Sequence, residues 1–243
     1  MSDRKYAILG DIHSNLEALN VVLEDAEEYG VSDYVCVGDI VGYNADPVPC
    51  IERIRGISAA TVQGNHDHYC SNTVCLDDFH PLAARVVDWT RSQLSAEHIE
   101  YLRNLAYTAR VGGFTIVHST LDMPEKWGYV FDTLEAEANF SYQPTALCFY
   151  GHTHLPVVFD KHRGVERRPY RKIMLELGRR YLINVGSVGQ PRDGDPRAAY
   201  VIYTPRSKEV ELRRLEYDIR TTQSKVREAG LPERLARRLE LGR

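Results

Sequence analysis

Paired thiolates are missing from this chain. Its five cysteines (Cys36, Cys50, Cys70, Cys75 and Cys148) are odd in number and none stands in C-x-x-C spacing. That argues against a disulfide framework or a thiolate zinc cluster and leaves them as small buried hydrophobes. Long apolar runs are missing too: none approaches the ~20 residues that span a bilayer. Met1-Ser2-Asp3-Arg4-Lys5 runs straight into an apolar strand without a signal-peptide core, so a cytoplasmic protein with no membrane partner is expected. Charge of one sign is absent as well, because 30 Lys and Arg stand against 34 Asp and Glu, a formal net charge of -4 with the signs interspersed. Such a surface offers no polybasic footprint for duplex nucleic acid. There is no solenoid repeat, low-complexity tract or clear linker, and 243 residues with 43% hydrophobic content can bury one sizeable core. A single domain over residues 1–243 is expected, with a charged helical tail from about 218.

What is present is a recurring pattern of an apolar strand ending in polar residues. Tyr6-Ala7-Ile8-Leu9 is a continuous apolar run, as an inner strand requires, and ends in Gly10-Asp11-Ile12-His13. Leu16, Leu19, Val22, Leu23 and Ala26 then recur at helical spacing, with Ser14 or Asn15 as cap and Gly30 as stop. Tyr34-Val35-Cys36-Val37 repeats the strand, ends in Gly38-Asp39, and Pro47 opens a second helix through Cys50, Ile51 and Ile54. A third run, Ser58 to Gln63, reads as a buried strand that delivers Gly64-Asn65-His66-Asp67 to a loop.

Two helical stretches between Phe79 and Leu105 read as packing elements, the second opened by Ser95 with Glu97 and His98 in its first turn. Ala106 to Val111 and Phe114 to Val117 read as a hairpin across Gly112-Gly113, ending at His118-Ser119. Leu134 to Phe140 reads as helix, and Ala146 to Tyr150 as a buried strand closed by Gly151-His152-Thr153-His154. Val157 to Phe159, Ile173 to Leu177, Tyr181 to Val185, Ala199 to Tyr203 and Val210 to Leu215 read as meandering strands. Successive βα units place a ligand crevice along the strands' carboxyl edge, so an α/β fold is expected.

Five of the nine histidines (His13, His66, His118, His152 and His154), with Asp11, Asp39 and Asn65, follow these strands directly. In Asp11-x-His13 and His152-x-His154, alternate residues of an extended segment face one side, so each pair presents two donors to one cavity. Two such pairs suit two metals, and a carboxylate such as Asp39 can bridge both. Oxygen and imidazole donors without thiolates favour Mn²⁺, Fe²⁺, Co²⁺, Ni²⁺ or Zn²⁺. His68, His80, His98 and His162 lack that placement and read as surface or packing residues.

The series Asp11-x-His13, Gly38-Asp39, Gly64-Asn65-His66-Asp67, His118 and Gly151-His152-x-His154 resembles the calcineurin-like metallophosphoesterase superfamily over about residues 6 to 190. Gly10-Asp11-Ile12-His13-Ser14-Asn15 and Asn184-Val185-Gly186-Ser187-Val188-Gly189-Gln190 are similar to its small YfcE-like bacterial and archaeal phosphodiesterases. The resemblance implies a four-layer αββα sandwich, two mixed β-sheets flanked by helices, with a dinuclear metal site at the strand carboxyl ends. It implies Asp11, His13, Asp39 and His154 for one divalent ion and Asp39, Asn65, His118 and His152 for the other, Mn²⁺ being the first choice. The ligand set is complete, which argues against a degenerate relative such as the retromer subunit of similar fold.

The chemistry expected of such a site is phosphoester hydrolysis. Two cations roughly 3.5 to 4 Å apart acidify a shared water and neutralise phosphoryl oxygens as the hydroxide attacks phosphorus in line. His66 neighbours Asn65 without being assigned to a metal and is expected to protonate the leaving alkoxide, with Asp67 orienting its ring. Tyr43 and Asn44 either overhang the site or are ordinary turn residues. Arg192 either reaches a phosphate through its forked guanidinium or is a solvated loop arginine. Arg234, Arg237, Arg238 and Glu240 in the tail read as a solvated helix face.

The expected partner is a small phosphorylated substrate, a phosphodiester or a phosphorylated metabolite, and a homo-oligomer is left open. The alternatives are hydrolysis of a dinucleoside polyphosphate such as diadenosine tetraphosphate, and a metal-stabilised scaffold with a vestigial site. The intact ligand set argues against the scaffold, and the lack of a large inserted domain argues against a protein phosphatase.

Overall fold

The computed structural model describes residues 4–73 and 81–243. Cys75, His80 and the expected helix start at Phe79 lie outside them. Among the described residues the strands form two mixed six-stranded sheets. The first sheet is built from β1 (Tyr6–Leu9), β2 (Asp33–Cys36), β3 (Ser58–Thr61), β9 (Lys172–Met174), β11 (Ala198–Thr204) and β12 (Glu209–Leu215), in the order β3-β2-β1-β11-β12-β9. The second contains β4 (Thr108–Val111), β5 (Phe114–Val117), β6 (Leu147–Tyr150), β7 (Val158–Lys161), β8 (Val165–Arg168) and β10 (Arg180–Asn184), in the order β4-β5-β6-β10-β7-β8. β1, β2 and β3 run parallel in one sheet, and β5, β6 and β10 in the other.

Period-two alternation explains the layers. From β1, Tyr6 and Ile8 point into the core between the sheets, where they meet Phe114, Phe149 and Ile183. Ala7 and Leu9 point the other way, onto Leu19 and Val22 of α1 (Leu16–Glu28) and Ile51 and Ile54 of α2 (Pro47–Ile57). Both faces of this strand are therefore dry, which is why its sequence is apolar at every position. On the far side, Cys148, Tyr150, Phe159 and Leu182 pack against Ala136 and Phe140 of α6 (Thr133–Tyr142). The result is a four-layer αββα sandwich. Asn15 caps α1, its Oδ1 accepting from the Ala18 amide at 3.1 Å. No helix among the described residues is long and apolar enough to cross a membrane.

Three local expectations need correction. β3 is a half-exposed edge strand rather than a buried one, because β2 pairs with it on one side only. Asn65–Ser71 is a short helix (α3) that starts at Gly64, not a loop. β8 escaped the sequence pattern because Val165-Glu166-Arg167-Arg168 is a charged edge strand.

The tail forms two amphipathic helices, α7 (Ile219–Glu228) and α8 (Glu233–Leu241), on which Arg234, Arg237 and Glu240 are exposed, as expected, and Arg238 is half-buried. Val226, Leu231, Leu235 and Ala236 are buried in a cluster with Val86, Leu82 and Trp89 of α4 (Pro81–Gln93).

The two sheets are tied together where the site lies. After β10 the chain crosses back to the first sheet: the Val188 amide donates to the Gly10 carbonyl at 3.0 Å and the Gly189 amide to the Asp11 carbonyl at 2.9 Å. The Ser187 hydroxyl also donates to the Asp11 carbonyl, at 2.8 Å. A Cβ on Gly189 would lie 1.8 Å from the Ile12 carbonyl oxygen, a contact that only backbone movement can relieve. Gly189→Ala is therefore expected to lose about 2 kcal/mol or more, the cost of overpacking a tight site. A urea midpoint equal to that of the unchanged protein would show that this crossing is loose.

Candidate metal centre

Each candidate ligand leaves the carboxyl end of a parallel strand and turns sharply. Asp11 and His13 follow β1, Asp39 follows β2, Asn65 follows β3, His118 follows β5, and His152 and His154 follow β6. The turns are left-handed at non-glycine residues: Asp11 (φ 51°), His13 (49°), Ser14 (56°), Asp39 (54°), Tyr43 (58°), His152 (66°) and His154 (59°). Each such residue costs on the order of 1 kcal/mol, and such strain is held where function needs a direction that a relaxed backbone does not supply. All these carboxylates and imidazoles are buried.

Four imidazoles are held by one device. His13 Nδ1 faces the Val41 carbonyl at 3.1 Å, His118 Nδ1 faces Val37 at 2.9 Å, His152 Nε2 faces Trp127 at 3.1 Å, and His154 Nδ1 faces Gln190. A carbonyl oxygen only accepts, so each of these nitrogens carries the hydrogen, and the other nitrogen of a neutral ring offers a lone pair. Those second nitrogens converge. His13 Nε2 lies 3.1 Å from His154 Nε2, and His154 Nε2 lies 3.1 Å from Asp11 Oδ1. His152 Nδ1 lies 3.2 Å from His118 Nε2, which is also 3.1 Å from Asn65 Oδ1. Asp39 Oδ2 stands between the groups, 3.6 Å from His13 Nε2 and 3.4 Å from His118 Nε2.

Asp11, His13 and His154 thus bring three donor atoms within 4.8 Å of one another, and so do Asp39, His118 and His152. Acceptors facing acceptors in a dry pocket repel unless positive charge lies among them, so this donor set fits divalent cations. The demand for positive charge shows in the titration of the cluster. Burial holds His13 and His154 well below the usual imidazole range, against the Asp39 carboxylate at His13 and with the Arg192 charge adding to it at His154, so both are neutral. Burial also lowers His118, but the Asp39 carboxylate outweighs it and pushes His118 up to about 9.

His66 differs from the other four imidazoles. It joins His13 and Asp39 within the same 4.8 Å, and its backbone amide donates to Asp39 Oδ1 at 2.9 Å. Its ring has no carbonyl clamp among the described residues, and Nδ1 is buried without a partner. Asp67 does not orient it. The Asp67 carboxylate accepts from the amides of Asp39 (2.8 Å), Ile40 (2.9 Å), Val41 (3.2 Å) and Gly64 (3.0 Å), so both oxygens are occupied by the loop that carries Asp39 and by the start of α3. A Cβ on Gly64 would sit 2.1 Å from Asp39 Oδ1, so that glycine permits the same close approach.

The substrate candidates separate. Asn44 is fully buried and its Nδ2 donates to the His13 carbonyl at 2.8 Å, so it braces the His13 turn rather than overhanging the site. Tyr43 is at the site: its ring centroid lies 4.5 Å from that of His13 and 4.4 Å from that of His66. Arg192 joins it, donating Nη2 to the Tyr43 hydroxyl at 3.3 Å. Two residues went unnoticed in the sequence. Trp127, left-handed at φ 55°, turns its carbonyl onto His152, and Tyr129 stacks on the His152 ring at 4.2 Å. No motif announces them, since one acts through its backbone and the other lies on an irregular loop.

An αββα sandwich with a buried Asp/His cluster on the edge shared by its parallel strands defines a class of metal-binding hydrolase folds, and known proteins narrow it. The calcineurin-like phosphoesterase superfamily domain matches residues 5–208. An uncharacterized protein from Methanocaldococcus jannaschii is 39% identical over 242 residues, covering 98% of each chain. The solved structure of a metallophosphoesterase from Sphaerobacter thermophilus aligns over 100% of both chains with a TM-score of 0.89 and 41% identity. A hypothetical protein from Pyrococcus horikoshii OT3 shares the fold, with a TM-score of 0.80 at 20% identity over 98% of each chain. The chain belongs to the calcineurin-like phosphoesterase superfamily, whose members use divalent metals.

The Asp67 contacts generate a test that separates anchoring from ring orientation. Asp67→Asn turns an NH₂ group toward amide donors and is expected to cost about 2 kcal/mol, with weaker Mn²⁺ retention on dialysis as the Asp39 loop loosens. Unchanged thermal stability and metal content, with activity alone reduced, would return Asp67 to a catalytic role.

Proposed function

We propose that this protein is a dinuclear metal-dependent phosphoesterase that hydrolyses phosphodiesters or small phosphorylated metabolites. Asp11, His13, Asp39 and His154 would hold one divalent ion and Asp39, Asn65, His118 and His152 the other. The observation that carries this reading is the convergence of four carbonyl-clamped imidazoles on two buried carboxylates. Bound there, the ions supply Lewis-acid neutralisation of phosphoryl oxygens and lower the pKa of water. Mn²⁺ is the first choice, and the same donors suit Fe²⁺, Co²⁺, Ni²⁺ or Zn²⁺.

The chain's own groups divide the remaining work. Asp39 Oδ2 faces both donor groups while Oδ1 accepts from the His66 amide, which supports this carboxylate as the shared member. His66, the imidazole without a carbonyl clamp, is free to exchange its proton and delivers it to the leaving alkoxide. Tyr43 packs over His13 and His66 and shields that proton from bulk water. Arg192, held by Tyr43 and Gln190, offers its fork to phosphate oxygens.

A substrate panel with each of Mn²⁺, Ni²⁺, Zn²⁺ or chelator tests the reading: a nitrophenyl diester, the matching monoester, a cyclic nucleotide and diadenosine tetraphosphate. Chelator-sensitive turnover of the diester is expected, and inactivity on every substrate with every metal would overturn it. His66→Ala is expected to keep its metals yet lose about 10²–10⁴-fold in kcat on an alkyl diester, and less on the nitrophenyl diester, whose leaving group needs no proton. Full turnover at full metal occupancy would remove His66 from the mechanism.

A further inference from the structure

Beside the metal centre, three guanidinium groups stand without a side-chain carboxylate among the described residues. Arg192 places Cζ 5.7 Å from the Tyr43 ring centroid, donates Nη2 to Tyr43 Oη and Gln190 Oε1 at 3.3 Å each, and leaves Nε buried without a partner. Because the Tyr43 ring rests on His13 and His66, this arginine is one side chain removed from the candidate metal ligands. Arg234 and Arg238, on α8, line a cavity of about 220 Å³ together with Tyr43, Leu82 and Ala83. That is smaller than the ~300–1,000 Å³ of pockets that enclose a whole drug-sized ligand, so it suits one group of a substrate rather than all of it.

Several other arginines of this protein do meet a carboxylate. Arg4 meets Asp33, Arg55 meets Glu97, Arg213 meets Asp25, and on the same helical tail Arg227 and Arg237 share Glu233. Among the described residues no side-chain carboxylate meets Arg192, Arg234 or Arg238, and Arg238 Nε donates instead to the main-chain oxygen of Arg243, the last residue of the sequence, at 2.7 Å. Burial, and next the Arg192 charge, lower the proton affinity of Arg238 from its ordinary value. Like charges held together in a partly dry setting are unfavourable until an anion offsets them. The packing of Leu235 and Ala236 under α4 holds α8 in that position.

We propose that Arg192, Arg234, Arg238 and Tyr43 form a second anion subsite, so that the substrate carries a second phosphate besides the phosphoryl group hydrolysed at the metal centre. This rests on the phosphoesterase reading above and narrows its substrate class to doubly phosphorylated small molecules. Guanidinium forks suit phosphate oxygens, and the C-terminal helices become part of the substrate site.

Pyrophosphate titrated calorimetrically into protein dialysed free of metal probes the subsite apart from the metal centre. Arg238→Met keeps an apolar stem against Tyr43 and Leu82 and is expected to bind pyrophosphate about tenfold more weakly. Arg237→Met, whose parent side chain is paired with Glu233, is expected to bind it like the unchanged protein. With Mn²⁺ present, kcat/KM is compared for the nitrophenyl phosphodiester of thymidine with and without a 3′-phosphate. That phosphate is expected to raise kcat/KM about tenfold in the unchanged protein, mainly through KM, and Arg238→Met to lose the gain. Equal pyrophosphate affinities in the two proteins, or an equal gain from the 3′-phosphate, would overturn the subsite. Turnover of the plain diester with pyrophosphate binding indifferent to Arg238 would refute the subsite and spare the phosphoesterase reading. Arg238-dependent binding without turnover of any phosphoester would support the subsite and refute that reading.

Discussion

Hydrogen bonds from imidazole to backbone carbonyl are the interaction on which the site depends. A histidine with both nitrogens free flips and changes tautomer, and it holds a metal poorly. Here Val37, Val41, Trp127 and Gln190 each spend a carbonyl on one ring nitrogen, and so decide which nitrogen of His118, His13, His152 and His154 turns inward. The carbonyls come from both sheets' loops. The clamp on His118 runs from one sheet to the other, because His118 follows β5 and Val37 follows β2, so the sandwich must close before that ligand is set.

Closing it demands backbone that ordinary sequences avoid. Left-handed residues at Asp11, His13, Asp39, His152 and His154 aim side chains across the gap between the sheets. Buried contacts hold them there: Asp67 gathers the amides of the Asp39 loop, Asn44 braces the His13 carbonyl, and Gly189 lies directly on the Ile12 carbonyl. Residues that look catalytic by type thus act as anchors, and the glycines allow backbones to touch. The strain is local to the site, while the inter-sheet core of Tyr6, Ile8, Phe114, Phe149 and Ile183 supplies the stability that tolerates it.

The legible part of the sequence was the part written in side chains with a period. Tyr6–Leu9 and Leu147–Tyr150 are buried on both faces and apolar throughout, so the strands and the polar residues after them could be read directly. Val165–Arg168 could not, because an edge strand in water needs no apolar face. The helical start at Gly64 carried a readable sign, an acid three residues after the cap, and was still mistaken for a loop. Roles carried by the backbone were invisible. Nothing in the letters of Trp127 or Gln190 says that their carbonyls face histidines. Contacts between distant segments were equally hidden: Tyr43 and Arg238 share a cavity wall only because α8 packs on α4.

The account stands or falls on where metal binds. Anomalous X-ray diffraction from Mn²⁺-soaked crystals addresses that directly. Two peaks are predicted, one bonded to Asp11, His13 and His154 and the other to Asn65, His118 and His152, with Asp39 bonded to both and His66 bonded to neither. A single peak, or a peak coordinated by the His66 ring, would contradict it.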